Sequence, residues 1–204
     1  FLGSYVADEL SNNGHEVIIF KKKKSQWLKT NQSMVVGDIN NLAKIKTVIK
    51  KCDLVFHFAG LSDLNEALNK PLESATYNIL GTVNLLKLCE KYKIKRFIYA
   101  SSIYVLSEQG GFYRVSKKAS EEYIEEFSKR FNLNFTILRY GTIYGRRANN
   151  ENGVRKIIHN AVKNKKIVYV GTSNSERKYI SARDAAKITI RTIKNTYKNK
   201  HVNI

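Results

Sequence analysis

The sequence predicts an α/β fold with a doubly wound parallel sheet. Short apolar runs rich in β-branched and aromatic residues alternate along the chain with longer stretches of helical periodicity. That alternation is typical of successive strand–helix–strand units. The runs are also continuously apolar, as in strands that are buried on both faces of a parallel sheet. No stretch of about 20 apolar residues occurs, so the sequence predicts no membrane-spanning helix.

The predicted elements follow one another in regular order over the first 145 residues. Strands are predicted at 16–20, 34–36, 53–58, 96–100 and 134–139, and helices at 4–13, 41–50, 72–92 and 113–131. Pro71, the only proline, precedes the third helix, where its fixed φ suits a first turn. After residue 145 the pattern loosens into a helix at 154–163, a short strand at 166–170, a helix at 182–197 and a strand-like end at 201–204.

We therefore predict two parts of the chain. Residues 1–145 form the main domain, and residues 146–204 form part of a smaller C-terminal lobe whose last helix returns to the main domain. Residues 1–13 are typical of the end of a glycine-rich turn and the helix that follows it, with no strand ahead of them. We expect both ends of the chain to be truncated, because a doubly wound sheet has that strand at its centre.

The composition limits the classes of protein to consider. With 204 residues, 43% of them hydrophobic, the chain can bury one full core. Cys52 and Cys89 do not make a disulfide framework, and no cysteine–histidine cluster has the spacing of a zinc site. We predict no bound metal, no membrane partner and a reduced, cytoplasmic setting.

The formal net charge of +19 has three interpretations. It fits a protein that neutralises nucleic-acid phosphates, and it fits attraction of an anionic small substrate. The lysines are dispersed, apart from Lys21 to Lys24, and no predicted helix carries a basic stripe with interleaved aromatic residues. We therefore favour a composition bias with solvated lysines, followed by attraction of a small anion, and we expect no nucleic-acid partner.

One spacing points to acid–base chemistry. Tyr113 and Lys117 are four residues apart, so a helix would place them one turn apart on the same face. The phenol has a reference pKa of about 10, and a fixed ammonium beside it would lower that value. Of the preceding pair Ser101-Ser102, we expect Ser101 to be structural and Ser102 to hold a substrate oxygen. Together, Ser102, Tyr113 and Lys117 could remove a proton from a hydroxyl while a cofactor accepts the hydride.

Further motifs follow the order found in a known enzyme family. They are Gly3 in Phe1-Leu2-Gly3-Ser4, Asp38-Ile39 after Gly37, His57-Phe58-Ala59-Gly60, Asn78, Ala100-Ser101-Ser102, Leu138-Arg139-Tyr140-Gly141-Thr142 and Arg177-Lys178-Tyr179-Ile180. With Tyr113 and Lys117, they make the chain resemble the extended short-chain dehydrogenase/reductases, specifically the NAD-dependent epimerase/dehydratase family that acts on nucleotide sugars. The resemblance covers nearly the whole chain.

The resemblance implies a Rossmann-like fold, an NAD or NADP cofactor, a nucleotide-sugar substrate and the catalytic residues Ser102, Tyr113 and Lys117. The cofactor-binding residues it implies are Gly3, Asp38, Ile39, Phe58, Ala59, Gly60, Asn78, Tyr113, Lys117 and Tyr140. The substrate-binding residues it implies are Ser102, Thr142 and Arg177. Such an epimerase oxidises a sugar hydroxyl by hydride transfer and reduces the keto intermediate on its other face. Family members often form homodimers through two helices, which here would be 72–92 and 113–131.

Several positions depart from the family pattern. NAD-using members carry an acidic residue after the second strand of the fold, where this chain has Lys21 to Lys24. Because a carboxylate there repels a 2′-phosphate and a lysine attracts one, both NAD and NADP stay open as the cofactor. Ile103 and Tyr104 replace the Asp-Glu pair of the family's dehydratases, which argues against a 4,6-dehydratase.

Two alternatives to a nucleotide-sugar epimerase stay open. The segment between Ser102 and Tyr113 is short, and Thr142 stands where many epimerases have a substrate-binding asparagine. Both features weaken the assignment of a specific sugar, and the short segment together with Lys21 fits an NADP-dependent carbonyl reductase that acts on a non-nucleotide substrate. The net charge of +19 motivates the other alternative, a non-catalytic Rossmann-fold protein that binds RNA or a protein partner.

Overall fold

The computed structural model describes residues 1–167 and 178–204, and its parallel strands carry helices on both faces, which confirms the predicted fold class. The first elements are α1 (Leu2–Asn12), β1 (Val17–Lys21), β2 (Gln32–Val36), α2 (Leu42–Ile49), β3 (Leu54–His57), α3 (Leu64–Asn69), α4 (Pro71–Ser74), a π-helix (Ala75–Leu80) and α5 (Gly81–Lys91). They are followed by β4 (Arg96–Ser102), a 3₁₀ turn (Ile103–Leu106), α6 (Gly111–Phe131), β5 (Phe135–Tyr140), β6 (Thr142–Tyr144), α7 (Gly153–Asn164), β7 (Tyr179–Ser181), α8 (Ala182–Arg191), a second 3₁₀ turn (Asn195–Tyr197) and β8 (Lys200–Asn203).

The strands pair in parallel throughout. β3, β4, β5 and β8 form a four-stranded sheet in that order, while β1 pairs with β2 and β6 pairs with β7. In the four-stranded sheet, Phe97 lies opposite Phe135 and Ser102 lies opposite Tyr140. β4 and β5 therefore end side by side, and the residues that follow them share one edge of the sheet.

Alternate residues of β4 face two different helical layers, as the period of two along a strand requires. Phe97 and Tyr99 are fully buried in a cluster with Leu86 of α5 and Ile124 of α6. Ile98 faces the opposite side and joins Leu138 of β5 and Ala185 of α8. Burying side chains of this size contributes about 1.5–3 kcal/mol each. The result is a sheet packed between two layers of helices, with the ends of its strands as the place where a ligand-binding site can form.

The chain beyond Gly145 packs partly on this main body. Ala182 and Ala186 of α8 join the cluster formed by Tyr5 and Leu10 of α1. β8 continues the main sheet beside β5. The helix predicted to return to the main domain is thus α8, although it ends at Arg191. The division of the chain at residue 145 stays a prediction.

A second predicted helix also differs from the observed elements, and one predicted strand lies mostly outside the described residues. The predicted helix 72–92 is built of α4, the π-helix and α5, because Ala75–Leu80 adopts the wider π geometry. Of the predicted strand 166–170, residues 168–170 lie outside the described residues. Among the residues that the structure covers, none forms a helix long and apolar enough to cross a membrane.

Candidate functional site

The predicted catalytic residues come together at the carboxyl edge of the four-stranded sheet. Ser102 ends β4, and Tyr113 and Lys117 lie in the first two turns of α6. The Lys117 ammonium is 5.9 Å from the centre of the Tyr113 ring. Ligands of open α/β sheets bind outside the carboxyl ends of their strands, so this is the edge where a substrate and cofactor would lie.

Lys117 is held in place by two groups. Its side chain is buried, and its Nζ donates a hydrogen bond to the Ala100 carbonyl at 2.8 Å. The same ammonium lies 4.7 Å from the centre of the Tyr99 ring, within cation–π range. Burial lowers the pKa of Lys117 to about 8, while the Glu121 carboxylate acts in the opposite direction. The lysine therefore keeps its positive charge at neutral pH.

Tyr113 differs from the sequence-based expectation. Burial raises its pKa to about 12, hydrogen bonding to Ser102 opposes that shift, and Tyr104 adds to it. We expected the Lys117 ammonium to lower this pKa. In the structure, that ammonium is directed to the Ala100 carbonyl, and the loss of water around the phenol dominates. At neutral pH the phenol is thus protonated.

The two serines at the end of β4 have different partners. The Ser101 hydroxyl donates a hydrogen bond to the carboxylate of Glu121, a buried residue of α6. The Ser102 hydroxyl interacts with the Tyr113 phenol and also accepts a hydrogen bond from the Tyr104 amide at 3.3 Å. This arrangement agrees with the expectation that Ser101 is structural, and it leaves Ser102 beside the phenol.

Glu121 is a buried acidic residue that the sequence analysis did not single out. One of its oxygens accepts a hydrogen bond from Arg139 at 2.5 Å, and His201 of β8 lies 3.6 Å from that same oxygen. Glu121 also lies one helical turn beyond Lys117, and the spacing of 113, 117 and 121 marks a single face of α6. That spacing could have identified it, whereas its pairing with Arg139 depends on the packing of β5 against α6.

Asn78 joins the loop after β3 to α6. Its side chain is 1% exposed. Its Oδ1 accepts from the Leu61 amide at 2.7 Å, and its Nδ2 donates to the Leu61 carbonyl at 3.0 Å and to Ser116 Oγ at 2.8 Å. Ser116 precedes Lys117, so Asn78 fixes the helix that carries Tyr113 and Lys117. Its predicted contact with a cofactor stays a prediction.

Gly60 allows the backbone to approach this cluster closely. Its φ is +150°, and a Cβ at this position would lie 2.5 Å from Asn78 Oδ1 and 3.9 Å from Lys117 Nζ. Only glycine fits both the conformation and the space. Ala59 and Gly60 are exposed at the end of β3. This bare backbone beside a buried ammonium fits a dinucleotide laid along the sheet edge.

Two of the other predicted cofactor residues, Asp38 and Ile39, follow β2. Asp38 accepts a hydrogen bond from the Asn40 amide at 2.9 Å and forms an ion pair with Lys22 at 3.2 Å. The Asn40 hydrogen bond is the main reason why the pKa of Asp38 is lowered. Ile39 is buried, and a Cβ on Gly81 would lie 3.3 Å from its Cγ2 atom. Ile39 thus packs against the start of α5, which follows directly on the π-helix that contains Asn78.

The remaining predicted site residues lie in different surroundings. Gly3 faces the half-buried Phe58, and a Cβ on Gly3 would be 3.5 Å from the Phe58 Cβ. The Tyr140 hydroxyl is buried and hydrogen-bonded to Thr189 of α8 at 2.5 Å, away from Tyr113 and Lys117. Thr142 is partly exposed in β6. Arg177 lies outside the described residues, and all of these assignments stay predictions.

Comparisons with known proteins agree with the sequence motifs. The NAD dependent epimerase/dehydratase family matches the chain over residues 1–204. A UDP-glucose 4-epimerase of Klebsiella pneumoniae is 31% identical over an alignment that covers 53% of this chain and 87% of that protein.

Solved structures show the same fold. The UDP-glucose 4-epimerase of Thermotoga maritima, determined with UDP-glucose, has a TM-score of 0.92 and 25% identity, and the match covers all of this chain and 73% of that one. The Thermus thermophilus UDP-glucose 4-epimerase in complex with NAD has a TM-score of 0.87 and 22% identity, with 100% and 74% covered.

The family match extends over every motif on which the resemblance was based. The chain belongs to the NAD-dependent epimerase/dehydratase family.

Proposed function

We propose that the protein is an NAD(P)-dependent epimerase that acts on a nucleotide sugar through a keto intermediate. The observation that supports this most strongly is the convergence of Ser102, Tyr113 and Lys117 at the sheet edge. A purely structural role does not require a buried lysine, a half-buried tyrosine and a serine hydroxyl around one edge of the sheet. The named epimerases among the similar proteins support the choice of substrate class.

Each of the three residues has a distinct role in the proposed reaction. Tyr113 acts in its phenolate form, which accepts the proton of the substrate hydroxyl on oxidation and, as the phenol, returns it on reduction. Ser102 hydrogen-bonds the reacting oxygen and holds it beside the phenol. The ammonium of Lys117, fixed by Ala100 and Tyr99, stabilises the phenolate that forms when the proton leaves. General acid–base catalysis of this kind contributes about a hundred- to ten-thousandfold in rate.

The residues of the chain suited to the dinucleotide are Ala59 and Gly60 at the end of β3, Lys117 of α6 and Asp38 after β2. When bound, an oxidised nicotinamide ring accepts and returns a hydride and adds a positive charge near the phenol. Tyr113 needs that kind of help, because burial keeps its pKa at about 12. The buried Lys117 ammonium contributes a second positive charge that cannot diffuse away.

The proton-transfer role of Tyr113 is tested by Tyr113→Phe in the full-length protein. We expect turnover of a UDP-sugar to fall at least about a hundredfold, because the phenyl ring has no exchangeable proton. Dinucleotide binding, measured by calorimetry, should persist. Tyr104→Phe is the matched control, since it makes the same chemical change in the ring that packs edge-on against Tyr113 at 6.3 Å. Wild-type turnover in Tyr113→Phe would refute the proposed role.

A carbonyl reductase is the competing enzymatic function, and it is favoured by the short connection from Ser102 to Tyr113. That connection contains a single 3₁₀ turn, Ile103–Leu106. Product analysis distinguishes the two activities. An epimerase converts a nucleotide sugar without net consumption of the dinucleotide, whereas a reductase consumes one reduced dinucleotide for each product formed.

We also propose that a second copy of the chain covers the exposed face of α4–α6. Several large apolar side chains there are exposed to solvent: Leu72 (76%), Leu80 (50%), Val115 (50%), Phe112 (47%) and Tyr123 (46%). An apolar patch of this kind marks an interaction surface. Leu72→Glu should shift the protein from dimer to monomer in sedimentation velocity. Leu28→Glu, in the exposed loop between β1 and β2, is the control and should leave the dimer intact. A wild-type monomer would refute the proposal.

The cytoplasmic setting and the absence of nucleic-acid and membrane partners stay predictions. A gel-shift assay with single-stranded RNA at moderate salt would test whether the protein binds nucleic acid.

A further inference from the structure

The segment Lys21 to Lys24, called the lysine segment below, begins at the last residue of β1. In doubly wound folds, the adenosine half of a dinucleotide lies at the carboxyl end of this strand. Lys21 lies opposite Val36, the last residue of β2, and its carbonyl accepts a hydrogen bond from the Gly37 amide at 2.9 Å. Lys21 therefore stands where β1 and β2 end side by side, and Asp38 follows directly after Gly37.

The carboxylate of Asp38, the acidic residue after β2, is already engaged. Lys22 forms an ion pair with it at 3.2 Å, and the Asn40 amide donates to it at 2.9 Å. Lys22 also donates to the Tyr77 hydroxyl at 3.2 Å and lies 5.0 Å from the centre of its ring. Lys22 therefore bridges the ends of β1 and β2 to the π-helix. Its charge offsets that of Asp38.

The charge balance at this end of the sheet suits an anion. A ribose 2′-hydroxyl is best held by a free carboxylate that accepts a hydrogen bond from it, whereas a 2′-phosphate is best held by cationic donors. Here the strand ends in Lys21, and Lys23 and Lys24 follow it, all three exposed. A phosphate with nearly two negative charges would gain charge-assisted hydrogen bonds that a hydroxyl cannot form.

We propose that the lysine segment makes the protein select NADP over NAD, with Lys21 as the residue that determines specificity. This inference rests on the proposed dinucleotide-dependent function and specifies the form of its cofactor. It distinguishes the chain from the Thermus thermophilus relative, whose structure was determined with NAD. Lys22, fixed by Asp38 and Tyr77, neutralises the Asp38 carboxylate and is not itself a ligand of the 2′-phosphate.

The experiment is calorimetric titration of the full-length protein with NADP⁺ and NAD⁺ separately, which requires no turnover. We expect NADP⁺ to bind about tenfold more tightly or better, and the preference to shrink as salt is raised. Lys21→Asp should reverse the preference, because its carboxylate can hold the 2′-hydroxyl and repels the 2′-phosphate. The control is Lys51→Asp, an equal charge change in the turn after α2 at the opposite edge of the sheet, and it should leave the ratio unchanged.

The possible results separate this inference from the function on which it rests. Equal affinities, or tighter binding of NAD⁺, would overturn NADP selection and leave the epimerase proposal intact. An unchanged ratio in Lys21→Asp would overturn the role of Lys21. Failure of the wild-type protein to bind either dinucleotide would overturn both proposals. Titration with 2′,5′-ADP, which carries the 2′-phosphate without the nicotinamide half, provides a second measurement: binding weaker than that of 5′-AMP would contradict selection by the lysine segment.

Discussion

Burial shifts the pKa values of Lys117 and Tyr113 in opposite directions, and both shifts favour the neutral side chain. The lysine falls to about 8 and the tyrosine rises to about 12. Both pKa values lie above neutral pH, so both groups are protonated there. The resting pair is therefore an ammonium beside a phenol. An added positive charge would then lower the pKa of the phenol toward the working range. The same burial makes Lys117 costly to keep charged, which has a measurable consequence for stability.

We predict that Lys117 destabilises the fold most below pH 8. Its pKa is about 8 in the folded protein and near 10.5 in the unfolded chain. Between these values, the unfolded state holds more protons, so the free energy of unfolding rises with pH. Replacing Lys117 with Met removes this contribution. The stability of the variant relative to the wild type should therefore fall by about 3 kcal/mol between pH 7.5 and pH 10.5.

Urea denaturation of both proteins across this pH range measures the difference. Buried tyrosines also titrate at high pH, but their contribution is shared by the two proteins and largely cancels. Lys118→Met is the matched control, because it removes the neighbouring, exposed lysine of the same helix. Its stability relative to the wild type should not change with pH. A difference between the wild type and Lys117→Met that stays constant across the range would contradict the lowered pKa.

At the scale of elements, the π-helix Ala75–Leu80 determines how the site is assembled. Asn78 lies within it, and π geometry inside a helical run is frequent at functional sites. The carbonyl of Asn78 accepts hydrogen bonds from Thr82 at 2.5 Å and from Ser120 at 2.9 Å. Its side chain reaches Leu61 and Ser116. One residue thus connects its own helix, the loop after β3 and α6.

Replacing Asn78 with Ala should loosen this junction. The change removes three side-chain hydrogen bonds and leaves the amide and carbonyl of Leu61 without these partners, at a cost of about 2–3 kcal/mol in unfolding free energy. Dinucleotide affinity should also fall, because α6 carries Lys117. Asn69→Ala is the control: this exposed residue donates only to Asn65 of its own helix at 2.9 Å, so we expect an effect within about 0.5 kcal/mol. Equal effects for the two variants in chemical denaturation would contradict the role of Asn78.

At the scale of the whole molecule, features that depend on neighbouring residues could be predicted from the sequence, whereas features that depend on contacts between distant segments could not. Strand–helix alternation predicted the layered fold, and the spacing of Tyr113 and Lys117 predicted their shared helix face, because both depend on nearby residues. The π geometry around Asn78 follows from a hydrogen-bond shift that leaves no periodic signal in a short segment. The pairing of Glu121 with Arg139 and the raised pKa of Tyr113 depend on packing between distant segments, and therefore became visible only in the structure.

Arg147 ties the chain beyond residue 145 to α1. Its guanidinium forms an ion pair with Asp8 at 2.6 Å and donates to Ser4 at 3.1 Å. It lies between two aromatic rings, 4.5 Å from the centre of Tyr5 and 4.9 Å from that of Trp27. Trp27 is the only tryptophan of the chain. Its fluorescence therefore reports on this junction, while far-UV circular dichroism reports on the entire fold.

We predict that the two signals give one coincident urea transition, because α8 packs on α1 and β8 pairs with β5. Arg147→Ala should lower the free energy of unfolding by about 3 kcal/mol in both signals, since it leaves the mostly buried Asp8 without its closest cation. Arg146→Ala, at the exposed neighbouring position, should change it by no more than about 0.5 kcal/mol. Two separate transitions in the wild type would instead mean that residues beyond 145 unfold independently of the main sheet. If the fluorescence transition of Arg147→Ala shifted without a matching shift in circular dichroism, the effect of Arg147 would be confined to the surroundings of Trp27.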